Sequence, residues 1–145
     1  MNRRTAAIAI GAVVVAASAG TALALPSHPG TTSGAFKFVS VTVAQHSFHN
    51  GNFVGADVDM SGGHKIGMDT IDCVPSSTGK TADCDVTGSF KQGQIYGTFT
   101  LNFKDGSIAG KVTGGTRKFV GATGTITGTA VSDTKEKVSI TYQTP

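Results

Sequence analysis

The chain has 145 residues, room for one domain rather than two, with twelve basic and nine acidic residues, two cysteines and no tryptophan. Two of the basic residues, Arg3 and Arg4, belong to a leader; the remainder carries ten basic against nine acidic residues, a net charge of +1. That balance, with Lys37, Lys65, Lys80, Lys91, Lys104 and Lys111 scattered singly, excludes the electrostatic footprint of a nucleic-acid binder.

The first element is a signal peptide over residues 1–24. Arg3 and Arg4 form its positive n-region, Thr5 to Gly20 is uncharged and small, and Ala22-Leu23-Ala24 fits the small-x-small cleavage rule. The chain is therefore expected to be secreted, with no membrane span left after processing. The arginine pair leaves Sec and twin-arginine export both open, although Thr5-Ala6-Ala7 matches the latter poorly. Residues 25–35, "LPSHPGTTSGA", read as a flexible lead-in. From Phe36 onward no window keeps a helical apolar period, and glycine recurs too often for helices to survive.

Strand signals fill the rest. "FKFVSVTVAQHSF" (36–48) alternates but carries apolar and polar residues on both faces. "HNGN" (49–52) turns, "FVGADVDM" (53–60) follows, and "HKIGMDTIDC" (64–73) resumes after two glycines. Cys73 and Cys84 flank the turn-rich "VPSSTGKTAD"; in a secreted chain the pair is expected to form a disulfide. "CDVTGSF" (84–90) precedes "QIYGTFTLNF" (94–103), where Ile95, Phe99, Leu101 and Phe103 share one face. "KDG" (104–106) is a hairpin signal, "SIAGKVTG" (107–114) pairs back, and "KFVGATGTITGTAV" (118–131) is a long strand. Asp133 to Glu136 turns, and "KVSITYQ" (137–143) closes the domain. About eight strands with mostly short connections read as an antiparallel sandwich or barrel, and closure alone removes every edge.

The stretch "VTGGTRKFVGATGTITGTA" (112–130) decides between them. A phosphate-binding glycine loop needs a following helix, and none is signalled here. A linker would not alternate Thr123, Thr125, Thr127 and Thr129 with Gly124, Ile126, Gly128 and Ala130. Threonine suits a pleated surface and repeated glycine suits the bends of a closing barrel. At these residues the chain resembles the barrel superfamily of allene oxide cyclases and dirigent proteins. The dirigent pattern V-x-G-G-T-G-x-F-x-x-A-R-G matches at Val112, Gly114, Gly115, Thr116, Phe119, Ala122 and Gly124, supported by "GQIYGTFTL" upstream and "VSITY" at the end. Two positions depart: Arg117 stands at the glycine after the threonine, and Thr123 at the arginine. The resemblance spans residues 36–142 and implies an eight-stranded antiparallel barrel over 36–143 with an apolar cavity. It also implies a homotrimer as the usual assembly, and cyclisation or radical-coupling chemistry without metal or organic cofactor. No catalytic residue carries over.

Other candidates have plain alternatives. Asp57 and Asp59 share a strand face, which is read as the wet face of a half-buried strand rather than an acid–base pair; Asp69 and Asp72 face opposite ways. His46 and His49, three apart, point to opposite sides of a strand, and with His64 are expected on the surface. Tyr96 and Tyr142 are expected on the wall or rim. The pocket is expected to be lined by Ile95, Phe99, Leu101, Phe103 and Tyr142. Two functions follow: a barrel that binds an apolar small molecule and steers a cyclisation or isomerisation, or a non-catalytic extracellular module with a filled barrel. Whether the chain is an enzyme stays open at this point.

Overall fold

Alternation of inward and outward side chains, with tight turns between the runs, leaves the chain one economical solution: each strand pairs with the next until the last meets the first. The computed structural model describes residues 30–145 and shows this solution, an all-β closed barrel of eight antiparallel strands in sequence order. The strands are β1 (Thr32–Ser47), β2 (Phe53–Ser61), β3 (His64–Pro75), β4 (Thr81–Phe90), β5 (Gly93–Asn102), β6 (Ser107–Gly115), β7 (Thr123–Ser132) and β8 (Lys135–Thr144). The signal-peptide reading at 1–24 and the lead-in before Gly30 lie outside the described residues. Among the described residues no helix is long and apolar enough to cross a membrane.

β3 and β4 run on past the cysteines to Pro75 and from Thr81, pairing Pro75 with Ala82, and three other strand bounds differ from expectation for a physical reason. β1 starts at Thr32, ahead of Phe36, because its first residues pair with the end of β8, Thr32 against Thr144. β8 starts at Lys135, so Glu136 is strand rather than turn. The long strand expected over 118–131 starts only at Thr123, because Arg117–Phe119 forms a single 3-10 turn. That turn drops Phe119 into the barrel, where it is fully buried.

The sheet face of β1, ambiguous in sequence, is settled by register. Phe36, Phe38, Ser40 and Thr42 point inward up to a bulge at Val43, beyond which Gln45 faces in. The closed end of the barrel is an aromatic plug. Phe36 stacks on Phe90 at 4.6 Å, Phe119 meets Tyr142 edge-on at 5.2 Å, and Phe38 leans on Phe90. Aromatic pairs in these arrangements add about 0.5–1.5 kcal/mol each beyond area burial. The turns on the closed end include the Gly62-Gly63 hairpin, whose two positive φ angles, 57° and 79°, suit a two-residue loop. Cys73 and Cys84 are direct cross-strand partners facing the interior; they form a disulfide with Cα atoms 4.1 Å apart. In the chain-entropy model a loop of this size contributes about 3 kcal/mol.

The residues that carry the dirigent-like pattern close the plugged end. The Thr116 backbone N–H donates to the Gln94 carbonyl at 2.9 Å, and Thr116 Oγ1 accepts from the Gln94 N–H at 3.0 Å. Val112, Phe119 and Ala122 are core. Gly124 lies where a Cβ would collide with the Thr141 backbone carbonyl of β8, and Gly115 where it would meet Gln94 and Phe119. Gly114 faces outward with its nearest neighbour, the Tyr96 ring, at 3.9 Å. Arg117 takes φ of 54°, the left-handed conformation, at the position where the resembled pattern carries glycine.

Gly124→Ala is expected to cost about 2 kcal/mol or more by overpacking against backbone, while Gly114→Ala stays within about 0.5 kcal/mol of wild type. Arg117→Gly is expected to raise stability by up to about 1 kcal/mol, because a non-glycine residue in the left-handed region costs roughly 1–2 kcal/mol and glycine returns part of that as chain entropy. Urea unfolding of the three variants checks all three signs.

Candidate functional site

Between the plug and the open end, the inner wall carries a belt of acids. The strand registers assemble it. Ser40 of β1 lies directly opposite Asp59 of β2 on one side and Glu136 of β8 on the other. Asp57 of β2 lies directly opposite Asp69 of β3. Strand parity turns all five side chains inward. Ser40 Oγ donates to Asp57 Oδ2 at 2.9 Å and lies 3.4 Å from Asp69 Oδ2. Asp59 is fully buried, and Ser40 and Asp69 are nearly so.

No basic side chain faces this belt from the strands that surround it. Lys37 and Lys137 have outward parity on β1 and β8, and Lys135 stands at the rim. Burial and mutual repulsion, with no cation to offset them, raise three of these carboxyls, Asp59, Asp69 and Glu136, above the ordinary carboxylate range. Burial, then the neighbouring Asp69 and Asp57, pushes Asp59 up to about 8. Burial and Asp57 push Asp69 up to about 6. Burial, with Asp57 and Asp69, pushes Glu136 up to about 7. Neither oxygen of Asp59 meets a hydroxyl or N–H donor; its own proton is the donor that pairs it with Asp69. One oxygen each of Asp57 and Glu136 is also buried without a partner. Like charges at close range that share a proton, in a partly apolar site, are the arrangement that spreads carboxyl titration over the neutral range.

The belt borders two connected spaces. An inner chamber of about 60 Å³ is walled by Phe38, Ile71, Val86, Phe99, Ile126 and Ile140 with Ser40, Asp57, Asp69 and Glu136 on one side. A mouth of about 640 Å³ opens beyond it between the turns, reaching Phe53, Leu101, Phe103 and Lys135, and it shares Ser40, Asp57, Ile71 and Glu136 with the chamber. Among the described residues no group of histidine, cysteine and acidic side chains is arranged to hold a metal ion.

The structure distributes the residues singled out in sequence as follows. Ile95 and Phe99 line the chamber. Leu101 and Phe103 line the mouth, with Phe103 exposed on its rim. Tyr142 lies in the aromatic plug instead. Tyr96 is on the outer surface and donates from its hydroxyl to Gln94 Oε1 at 3.0 Å. His46, His49 and His64 are exposed, and Asp72 points outward. The expectation that Asp57 and Asp59 sit on a wet outer face is corrected: the outer face of β2 belongs to Val54, Ala56 and Val58, so the acids take the interior. Ser40 and Glu136 were not singled out. The signal for Glu136 was the unbroken parity Glu136, Val138, Ile140, Tyr142.

No protein-family model matches the chain, and no curated protein matches it. Among solved structures it is similar to a pyocyanin demethylase, with a TM-score of 0.61 and 20% sequence identity over 78% of this chain and 99% of that one. At that identity the likeness is one of fold.

The raised acids set the pH dependence of stability. Their folded forms keep protons that the unfolded chain has released above about pH 4. Between about pH 4 and 8 the folded state binds more protons, so stability falls as pH rises through that window. Thermal melts are expected to show Tm dropping from pH 4.5 to 8.5, and Asp59→Asn raising Tm at pH 8.5 by more than about 5 °C while leaving it near wild type at pH 4.5. A Tm that ignores pH over this range would contradict the buried belt.

Proposed function

We propose that this chain is an exported barrel that admits a small, largely apolar molecule through its mouth and acts on it with the acid belt. The observation that carries the reading is the belt itself: four carboxyl groups on the inner wall, unbalanced by any facing cation, two of which, Asp57 and Glu136, open to a mouth of about 640 Å³. A purely structural barrel gains nothing from such a belt, because unpaired buried acids destabilise the fold. Asp69 and Glu136, with raised values of about 6 and 7, stand where a group can both give and take a proton near neutral pH. The apolar side of the mouth, Phe53, Ile71 and Leu101, would fix a reactive molecule in one conformation against the acids, which is how a barrel steers a cyclisation or isomerisation. The fold it shares with a pyocyanin demethylase adds that a barrel of this kind hosts chemistry on a small molecule. Export rests on the leader reading and on the Cys73–Cys84 disulfide, a bond that persists in oxidising compartments.

The filled-barrel alternative draws on the aromatic plug, which occupies one end completely. Self-association draws on the outer face of β1–β3, where Val41 lies opposite Val58 and Val58 opposite Met68, flanked by Val39 and Met60. This is the face that a trimer would cover.

Native mass spectrometry of protein purified from culture medium tests these points together. The expected spectrum is a trimer lacking residues 1–24, carrying an organic ligand that Leu101→Arg in the mouth expels, with Val58→Lys giving monomers. A ligand-free barrel whose Tm no member of a panel of apolar metabolites raises would favour the filled module.

A further inference from the structure

We propose that the molecule this barrel takes carries a fixed or protonated cationic centre, which docks at the floor of the mouth against Asp57 and Glu136, with Asp69 just behind them in the chamber, while its apolar body fills the space toward Phe53, Leu101 and Phe103. The inference rests on the ligand-barrel reading above and adds the charge of the ligand.

Three observations meet here. The first is charge imbalance within a cavity. Asp57 and Glu136 line both the chamber and the mouth, Asp69 lines the chamber beside them, and the inward positions of the neighbouring strands supply no lysine, arginine or histidine. The charged groups at the rim are Asp133 and Lys135, which offset one another. The second is unmet hydrogen-bonding capacity: Asp57 Oδ1 and Glu136 Oε1, on the two acids that line both spaces, are buried with no donor. An anionic or hydroxyl-free neutral ligand leaves these atoms as they are, whereas a cation satisfies them electrostatically. The third is the character of the walls. Phe53, Ile71, Leu101 and Phe103 in the mouth, and Val86, Phe99 and Ile126 in the chamber behind it, offer no side-chain oxygen to complete the shell of a metal ion, and among the described residues no group of histidine, cysteine and acidic side chains is arranged to hold one. An organic cation with an apolar body suits both the belt and the wall.

Linkage follows. A positive charge within a few ångströms favours ionised carboxyls, so docking releases protons from Asp69 and Glu136, and affinity rises as pH rises through their titration. The groups facing this titration are Asp57 and Asp59 from β2, Asp69 from β3, Glu136 from β8 and the hydroxyl of Ser40 from β1, with Asp133 and Lys135 at the rim.

The test uses an isosteric pair that differs only in charge: benzyltrimethylammonium and neopentylbenzene. Neither titrates, so any pH dependence belongs to the protein. Binding to the intact disulfide-bonded protein is followed by chemical-shift titration at pH 5 and pH 8. The expected result is that the cation binds at least about tenfold tighter than its neutral twin at pH 8, a difference of about 1.4 kcal/mol, and loses most of that advantage at pH 5. Glu136→Gln should cut the cation's affinity at pH 8 several-fold and leave neopentylbenzene unchanged; Asp57→Asn, a second variant, should do the same if Glu136→Gln perturbs the fold. If the neutral twin binds as well as the cation at pH 8, the cationic inference is overturned and the ligand-barrel reading stands. If neither binds at any pH, both fall.

Discussion

Everything in this molecule depends on β1 pairing on both sides. Its first ten residues ladder to β8, from Thr32 opposite Thr144 to Val41 opposite Lys135, while its second half ladders to β2. The overlap of the two ladders falls at Val39, Ser40 and Val41. At that overlap Ser40 is held between Glu136 and Asp59, residues nearly eighty positions apart in sequence. Closure therefore does two things at once. It removes the two edges that an eight-stranded open sheet would expose, and it builds the acid belt, which exists only if the last strand returns to the first.

The belt is a local conflict within an otherwise consistent fold. Turn chemistry, parity, aromatic packing and the disulfide all favour the same closed barrel, and sequences with such agreement fold to one state. Asp59, Asp69 and Glu136 oppose it, since each must be desolvated and each repels the others. Conflicts of this kind concentrate where a protein interacts with something else. The plug and the disulfide lie on either side of the belt along the barrel axis and hold the walls while the belt is under electrostatic load.

Much of this was legible in the sequence. The strict alternation of Thr123, Thr125, Thr127 and Thr129 with small residues announced a curved strand, and the structure puts the threonines outside and Gly124, Ile126 and Gly128 inside. Ile95, Phe99 and Leu101 share the inward face of β5, whereas Phe103 lies one residue past the end of the strand, in the turn at the mouth. The cysteine pair was readable from count and spacing. The acids were misread because parity says that two residues share a face without saying which face is inside. On β2 the outward face carries Val54, Ala56, Val58 and Met60, apolar enough to look like a core. An interior that is polar and an exterior that is apolar invert the usual rule, and local pattern alone gives no warning of it. The 3-10 turn at Arg117 was hidden for a different reason: an arginine in left-handed conformation gives no glycine signal.

The plugged end also holds both chain ends of the barrel, since Thr32 and Thr144 are partners and Gly34 lies beneath the Tyr142 ring. The entrance is at the opposite pole. A surface, fusion domain or affinity handle joined after Pro145 would thus leave the opening facing outward, and the barrel could be tethered as a sensor or a display scaffold without occluding it.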